Sequence, residues 1–191
     1  MYFSWQKPLL FIALSTPFLW LLFDVLSGNL IDPIEEITNP TGQWALRFLL
    51  LSLAITPLNK ILPFSIVKYR RMVGVFSFFY ACLHLSIFLI DQQFNLAYIL
   101  EDVVKRPYIT IGFSAFILLF LLTITSTNGM IRRLGKRWKK LHKSIYLVSI
   151  LVVVHFYWQA KSALDIEPMI YALITLFLLS FRVDWKKWLK R

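Results

Sequence analysis

The chain has 191 residues, of which 58% are hydrophobic and only 16% are charged. Soluble domains carry about a quarter charged residues, so this composition excludes an ordinary soluble globular protein and is typical of a membrane protein. The formal net charge of +11 does not require nucleic acid as a partner, because the basic residues are concentrated between apolar segments, where membrane topology explains them.

Six apolar segments follow one another along the chain, most of them near the ~20 residues that a helix needs to cross the hydrocarbon. We predict membrane-spanning helices at residues 8–26, 44–63, 72–90, 107–126, 141–160 and 168–183. The first is predicted to be a retained span, because no small-residue cleavage pattern follows it, and Pro17 is predicted to kink it. The predicted fold is an all-α integral membrane protein, with residues 1–191 forming a single six-helix transmembrane bundle.

The charged residues between the predicted spans are distributed unevenly over the two sides of the membrane. If both termini lie on one side, that side carries 17 of the 21 basic residues, and the other side carries nine of the ten acidic residues. Because the more basic side of a membrane protein faces the cytoplasm, both termini are predicted to be cytoplasmic.

The three histidines of the chain, His84, His142 and His155, lie within or at the edge of predicted spans three and five. Ionisable residues inside a membrane are costly and usually functional. His84 follows Arg71 by 13 residues and His155 follows Lys143 by 12, so both lie about 18–20 Å along their helices at about 1.5 Å per residue. Two imidazoles at one depth can ligate one haem iron, although a single histidine can also simply hydrogen-bond to a neighbouring helix.

His142 lies about 20 Å from His155 along the same predicted helix and cannot ligate the same iron. On an ideal helix the two side chains point about 140° apart, so both face the bundle interior only if the helix is kinked, tilted or frayed at its start. Spacing alone leaves two interpretations of His142, as a ligand of a second cofactor or as an interfacial residue.

The interiors of predicted spans three, four and five contain no Asp, Glu, Lys or Arg. Proton and ion pumps usually place carboxylates at the middle of the membrane, and no intramembrane protease motif is present. Histidines in a charge-free bundle therefore favour electron transfer over transport.

Short polar and aromatic stretches spread over the chain carry a resemblance to a known family. They are PFLW (17–20), DP (32–33), TG (41–42), ALRFLLLSLAITPL (45–58), RRMVGV (70–75), LHL (83–85), RPY (106–108), TST (125–127), LGKRWKKLH (134–142) and VVVHFYW (152–158). With these stretches, roughly residues 9–183 resemble the MsrQ (YedZ) family, the haem-binding membrane subunits of bacterial periplasmic methionine-sulfoxide reductase systems. That family belongs with the ferric-reductase-like transmembrane proteins, which include NADPH oxidases.

The resemblance implies haem b as the cofactor, one or two per chain, with FMN as a further candidate. It supports His84 and His155 as the outer haem pair. The related proteins have a second third-helix histidine where this chain has Arg70, so His142 could act alone, with an arginine or water, or at a flavin site. Arg70 and Arg71 suit a haem propionate or a flavin phosphate, because arginine matches such anions.

The resemblance also implies a function in electron transfer. Electrons would enter from the quinone pool or a cytosolic flavin reductase and cross the bacterial inner membrane. They would reach a periplasmic molybdopterin-containing subunit of the MsrP type, which reduces methionine sulfoxide in oxidised proteins. The chain itself would hold no substrate-reducing site. Its acidic segments between the spans, on the outer side of the membrane, would dock that partner. The alternatives are a stand-alone ferric reductase or quinol-oxidising cytochrome and, from another class, a non-redox membrane transport or binding protein.

Overall fold

The computed structural model describes residues 5–160 and 165–182, and throughout these ranges the regular structure is helical. The helices are α1 (Gln6–Ser27), α2 (Pro33–Ile61), α3 (Arg70–Asp91), α4 (Leu96–Lys105), α5 (Pro107–Ile124), α6 (Asn128–Leu134), α7 (Lys136–His142), α8 (Ile145–Gln159) and α9 (Ile166–Ser180). A short 3-10 turn, Val67–Tyr69, leads into α3. The predicted all-α class is confirmed for the described part of the chain.

Within the described ranges, five helical stretches are long and apolar enough to cross a membrane. They are Gln6–Ser27, Pro33–Ile61, Val67–Asp91, Pro107–Ile124 and Lys136–Gln159. The sixth predicted span corresponds to α9, which is apolar but has only 15 residues. At 1.5 Å per residue α9 is about 22 Å long, short of the ~30 Å hydrocarbon core. The five longer predicted spans are therefore found as helices, and the sixth is found as a shorter one.

The second span begins well before the residue at which its apolar run begins. Helix α2 starts at Pro33, whereas hydropathy predicted a start at residue 44. Asp32 caps the helix by accepting a hydrogen bond from the Glu35 N–H at 3.2 Å, and proline suits the first helical position. Hydropathy misses this first part of α2 because its residues are largely polar.

The predicted fifth span is interrupted near its start. Helix α7 ends at His142 and α8 begins at Ile145. Between them, the Ser144 N–H and hydroxyl both donate to the Leu141 carbonyl, at 2.9 and 2.7 Å, which tightens the backbone into a turn. The predicted fifth span is therefore found within Lys136–Gln159, with a local break at residues 143–144. Because of that break, the ideal-helix angle between His142 and His155 does not apply.

A side chain of α3 interrupts the main-chain hydrogen bonds of α1. The Tyr80 hydroxyl accepts from the Phe18 N–H at 2.8 Å and donates to the Leu14 carbonyl at 3.0 Å. In an uninterrupted helix those two backbone groups would bond to each other. Pro17 lies next to Phe18 and has no N–H, so the hydrogen-bond pattern of α1 is already interrupted there. The fully buried Tyr80 provides partners for the two backbone groups that are left.

Helix α2 lies at the centre of the bundle. Phe48 packs with α1 and α3, Leu46 packs with α8 and α9, and Leu49 packs with α5 and α8. The two most extensive helix pairs are α2 with α3 and α5 with α8. Large apolar side chains on the outer faces of α1 and α9 stay exposed in the bundle, as expected of surfaces that face lipid.

Candidate functional site

His84 of α3 and His155 of α8 face each other in the middle of the helix bundle. Their ring centroids are 6.2 Å apart, and the ring planes are inclined by 85°. The two histidines that were predicted to lie at equal depth are therefore direct neighbours in the structure.

Both rings are fixed by a hydrogen bond from Nδ1 to a main-chain carbonyl of another helix. His84 Nδ1 lies 3.0 Å from the Thr38 oxygen of α2, and His155 Nδ1 lies 2.7 Å from the Tyr108 oxygen of α5. Because a carbonyl can only accept, each neutral ring carries its proton on Nδ1. Both Nε2 atoms consequently keep a lone pair that can bind a metal.

A cavity of about 270 Å³ lies between α2, α3, α5 and α8, and both imidazoles line it. Most of its other lining side chains are apolar, among them Leu46, Leu49, Leu85, Phe88, Phe113, Phe116, Leu119 and Val152. Such walls exclude water, and low polarity around a haem is one of the factors that set its reduction potential.

The spacing of the two rings suits two imidazoles that bind one metal ion. Metal–imidazole bonds are about 2 Å long, so two such bonds plus the distances from each nitrogen to its ring centre sum to about 6 Å. The observed centroid separation is 6.2 Å. The described residues contain no group of three or more His, Cys, Asp or Glu side chains that could hold a metal ion. A pair of imidazoles is a ligand set that suits a haem iron.

One end of the cavity carries a charged pair. Arg106 Nε lies 3.2 Å from Asp102 Oδ1, and both residues line the cavity. Asp102 Oδ2 is buried and has no hydrogen-bond partner. A hydrogen bond with Tyr108 and the charge of Asp102 raise the pKa of Arg106, so this end of the cavity holds a permanent cation and an unused acceptor.

The cavity opens into a vestibule at the acidic end of the bundle, where α2 and α9 begin and α3 and α8 end. The vestibule has a volume of about 840 Å³ and shares Thr38, Gln43 and Asp91 with the cavity. Five carboxylates line it: Asp32, Glu35, Asp91, Asp165 and Glu167. Among the described residues no lysine or arginine lines it, so the approach to the two histidines is electrically negative.

His142 lies apart from this pair, at the opposite, basic end of the bundle. Its Nδ1 is 3.2 Å from the Trp138 oxygen, its Nε2 is 3.4 Å from the Ser126 hydroxyl, and its ring stacks on Trp138 with 3.9 Å between centroids. Both nitrogens therefore have polar neighbours within the protein. A metal at His142 would have to replace the contact with Ser126.

The two arginines predicted to hold an anion lie at the same basic end. Arg71 donates to the Asn128 side chain at 2.8 Å, which connects α3 to α6. Arg70 interacts electrostatically with His142 and with Arg182 beyond α9. The structure thus brings Arg70 and His142 into one neighbourhood, while the Arg71 side chain is engaged by a neighbouring helix.

Comparisons with known proteins show the family of the chain. Residues 41–153 match the family model described as "Ferric reductase like transmembrane component". The chain is 49% identical over 193 residues to the "Protein-methionine-sulfoxide reductase heme-binding subunit MsrQ" of Herminiimonas arsenicoxydans, covering 97% of this chain and 87% of that protein. The identity to the protein of the same name from Xanthomonas euvesicatoria pv. vesicatoria (strain 85-10) is also 49%, over 158 residues, covering 82% of this chain and 72% of that protein. The chain belongs to the MsrQ family. The resemblance seen in the sequence is thereby confirmed.

A partly exposed polar network between α2 and α9 of this MsrQ-family chain was not predicted from the sequence. Arg47 of α2 donates to the Tyr171 hydroxyl at 2.7 Å and to the Gln43 side chain at 3.0 Å, and it lies 3.7 Å from the Glu167 carboxylate. Gln43 also donates to Glu167 at 3.0 Å and lines the cavity. An arginine inside predicted span two was the available signal, because a charge in a membrane helix requires partners.

Proposed function

We propose that this chain is the haem-binding subunit of a methionine-sulfoxide reductase system and that it conducts electrons across the membrane. The observation that carries the proposal is the pair of imidazoles, His84 and His155, which line one largely apolar cavity with their ring centroids 6.2 Å apart. The names of relatives that are 49% identical over most of the chain support the same function.

The chain's own residues would hold and orient the cofactor. His84 and His155 would supply the protein ligands of the iron through Nε2, while the carbonyls of Thr38 and Tyr108 keep both rings in the required tautomer. Arg106 lies where the polar edge of the cofactor could meet a cation. A bound haem b supplies reversible one-electron redox chemistry.

The proposed topology has six spans in the bacterial inner membrane, with both termini in the cytoplasm. The distribution of charge supports it, because 17 of 21 basic residues then lie on the cytoplasmic side. In this orientation the acidic end and its vestibule face the periplasm. Helix α9 would be the last crossing, and its 15 residues require local thinning of the bilayer or additional residues in the span.

The proposed electron acceptor is a periplasmic molybdopterin-containing subunit of the MsrP type, and the donor is the quinone pool or a cytosolic flavin reductase. The vestibule supports docking of the acceptor at the acidic end, because it is continuous with the histidine cavity and is lined by five carboxylates. A partner with a basic surface would be attracted to it. This chain would reduce no sulfoxide itself.

A second cofactor is proposed at the basic end, either an inner haem or FMN. His142 and Arg70 lie in one neighbourhood there, and Arg71 lies next to Arg70 in sequence. A guanidinium suits a propionate or a phosphate. Both ring nitrogens of His142 already contact polar groups of the protein. A metal therefore binds less readily there than between His84 and His155, whose Nε2 atoms keep a free lone pair.

The deciding experiment is a reduced-minus-oxidised absorption spectrum with pyridine haemochrome quantitation. It is carried out on the purified protein and on His84→Ala, His155→Ala and His142→Ala. We expect haem b in the wild type, loss of the cavity haem in the first two variants, and its retention in His142→Ala. The difference in haem content between wild type and His142→Ala decides between one haem and two. A wild type without haem after expression with ample haem supply would refute the proposal.

A stand-alone ferric reductase is the second candidate, favoured by the description of the family model that matches residues 41–153. It predicts that the pre-reduced protein in liposomes is rapidly reoxidised by ferric chelates without any partner. The electron-transfer proposal predicts slow reoxidation by chelates and fast reoxidation by the periplasmic subunit. The ratio of the two rates distinguishes the candidates.

A further inference from the structure

Each histidine of the pair packs against a glycine of the neighbouring helix. A Cβ atom added at Gly112 of α5 would lie 2.9 Å from both Cε1 and Nδ1 of His155. A Cβ atom added at Gly42 of α2 would lie 3.0 Å from the same two atoms of His84. Real Cβ atoms essentially never approach other atoms more closely than 3.0 Å. Any larger residue at Gly112 therefore displaces the ring, and at Gly42 it presses on the ring at the limit of what is tolerated.

The same arrangement is built twice, at both histidines. Thr38, whose carbonyl accepts from His84, precedes Gly42 by four residues, and Tyr108, whose carbonyl accepts from His155, precedes Gly112 by four residues. Four residues make about one helical turn, so in each helix the carbonyl and the glycine lie on one face. The missing side chain is what lets the ring reach that carbonyl.

The two copies lie in the two principal helix pairs of the bundle. In the α2–α3 pair the first helix supplies the glycine and the second supplies His84, and in the α5–α8 pair the same division holds for His155. The local sequences, TNPTG (38–42) and YITIG (108–112), share only the final glycine. The recurrence is therefore one of geometry, and the sequence alone does not display it.

We propose that Gly42 and Gly112 are positioning residues that fix the orientation of the two imidazole planes about the iron. The proposal rests on the haem-binding function proposed above. Each ring is held at Nδ1 by a carbonyl and is packed against a glycine, so rotation about the axis through Nε2 is restricted. The result is the 85° angle between the ring planes. The relative orientation of two axial imidazoles governs the anisotropy of the electron paramagnetic resonance (EPR) signal of a low-spin ferric haem, and it contributes to the reduction potential.

The competing explanation is that these glycines serve only helix packing. Small residues are common where membrane helices approach closely. A packing glycine affects stability when it is replaced, but it does not set the angle between two ligand planes. Gly74 of α3 provides a matched control, because a Cβ atom added there has no atom within 4 Å, and it lies in the same helix as His84.

The test compares Gly112→Ala, Gly42→Ala and Gly74→Ala with the wild type. Haem content is measured by pyridine haemochrome, ligand orientation by EPR of the ferric protein, and the midpoint potential by redox titration. We expect a strongly anisotropic low-spin signal from the wild type and from Gly74→Ala. Gly112→Ala should lose at least half of its haem and show a shifted, less anisotropic signal in the remainder. Gly42→Ala should shift in the same direction but less, because its contact is slightly longer.

The possible failures are distinguishable. A wild type without haem refutes the proposed function and, with it, the positioning role. A wild type with haem, together with glycine variants whose EPR signal and potential are unchanged, refutes the positioning role alone, even if their yield or thermal stability falls. Should Gly112→Ala be recovered only as aggregate, Gly42→Ala decides the matter by the same EPR criterion.

Discussion

Arg47 of α2 and Glu167 of α9 lie 3.7 Å apart, with the Gln43 amide donating to the same carboxylate at 3.0 Å. The Arg47 guanidinium also donates to Tyr171 of α9 at 2.7 Å. These contacts join the short last helix to the central helix of the bundle. Because Gln43 lines the histidine cavity, the network also connects the position of α9 to one wall of the candidate haem site.

Replacing Arg47 with alanine should therefore loosen α9. The change removes the hydrogen bond to the Tyr171 hydroxyl and the cation beside Glu167, which keeps its bond from Gln43. A lost hydrogen bond to a charged group costs about 1–3 kcal/mol. Both charged side chains are more than a third exposed, so the lower part of that range is expected. Thermal unfolding in detergent measures the effect. Lys105→Ala, which removes an exposed ion pair on α4, should leave the stability almost unchanged, because exposed ion pairs contribute little.

Tyr80→Phe tests the insertion of a hydroxyl into the ladder of α1. The variant keeps the buried ring but removes the bridge between the Phe18 N–H and the Leu14 carbonyl. We expect a loss of about 1 kcal/mol in the free energy of unfolding, the usual contribution of a hydrogen bond. Tyr98→Phe on the exposed face of α4 is the control and should be neutral. Equal melting temperatures for both variants would show that the Phe18 N–H bonds directly to the Leu14 carbonyl once the hydroxyl is gone.

The helices and the histidine pair were predictable because each leaves a direct signal in the sequence. A membrane span needs about 20 apolar residues, and in this chain such runs alternate with charged connecting segments. The equal depth of His84 and His155 followed from counting residues from the basic joints, and the 6.2 Å separation of their rings agrees with it. Depth is readable from sequence because every residue of a helix adds the same rise.

Other features were not predictable because they depend on contacts between distant segments or on local polar groups. The glycines at 42 and 112 matter only because the rings of His84 and His155 pack on them. The turn between α7 and α8 depends on the Ser144 hydroxyl within an otherwise apolar run. Helix α4 is short and carries charged residues, so hydropathy does not indicate it. Its start is indicated instead by Asn95, which caps the helix by accepting from the Ala97 N–H.

Arg106→Gln should destabilise the acidic end of the cavity. The Asp102 side chain is only 14% exposed, and its Oδ2 already lacks a partner. Removing the neighbouring cation leaves a mostly buried charge uncompensated, at a cost of about 1–3 kcal/mol. The double variant Asp102→Asn/Arg106→Gln should recover part of that loss, because it removes the charge together with its partner. Thermal unfolding of both single variants, Asp102→Asn and Arg106→Gln, and of the double variant measures the coupling. If the losses of the two single variants add up to the loss of the double variant, the two side chains are not coupled.

Asp91→Asn tests the vestibule as the docking surface of the proposed periplasmic partner. Asp91 lines both the vestibule and the cavity, whereas Glu101 lies on exposed α4 outside both. Glu101→Gln therefore removes the same charge at the same end of the bundle and serves as the control. Reoxidation of the pre-reduced protein by the proposed MsrP-type subunit is followed by stopped-flow absorbance at low and high salt. Because steering by a charge is local and screened by salt, Asp91→Asn should slow the reaction about two- to fivefold at low salt and little at high salt. Equal slowing by Glu101→Gln would show that the partner responds to overall charge, and the vestibule would lose its assignment as the docking surface.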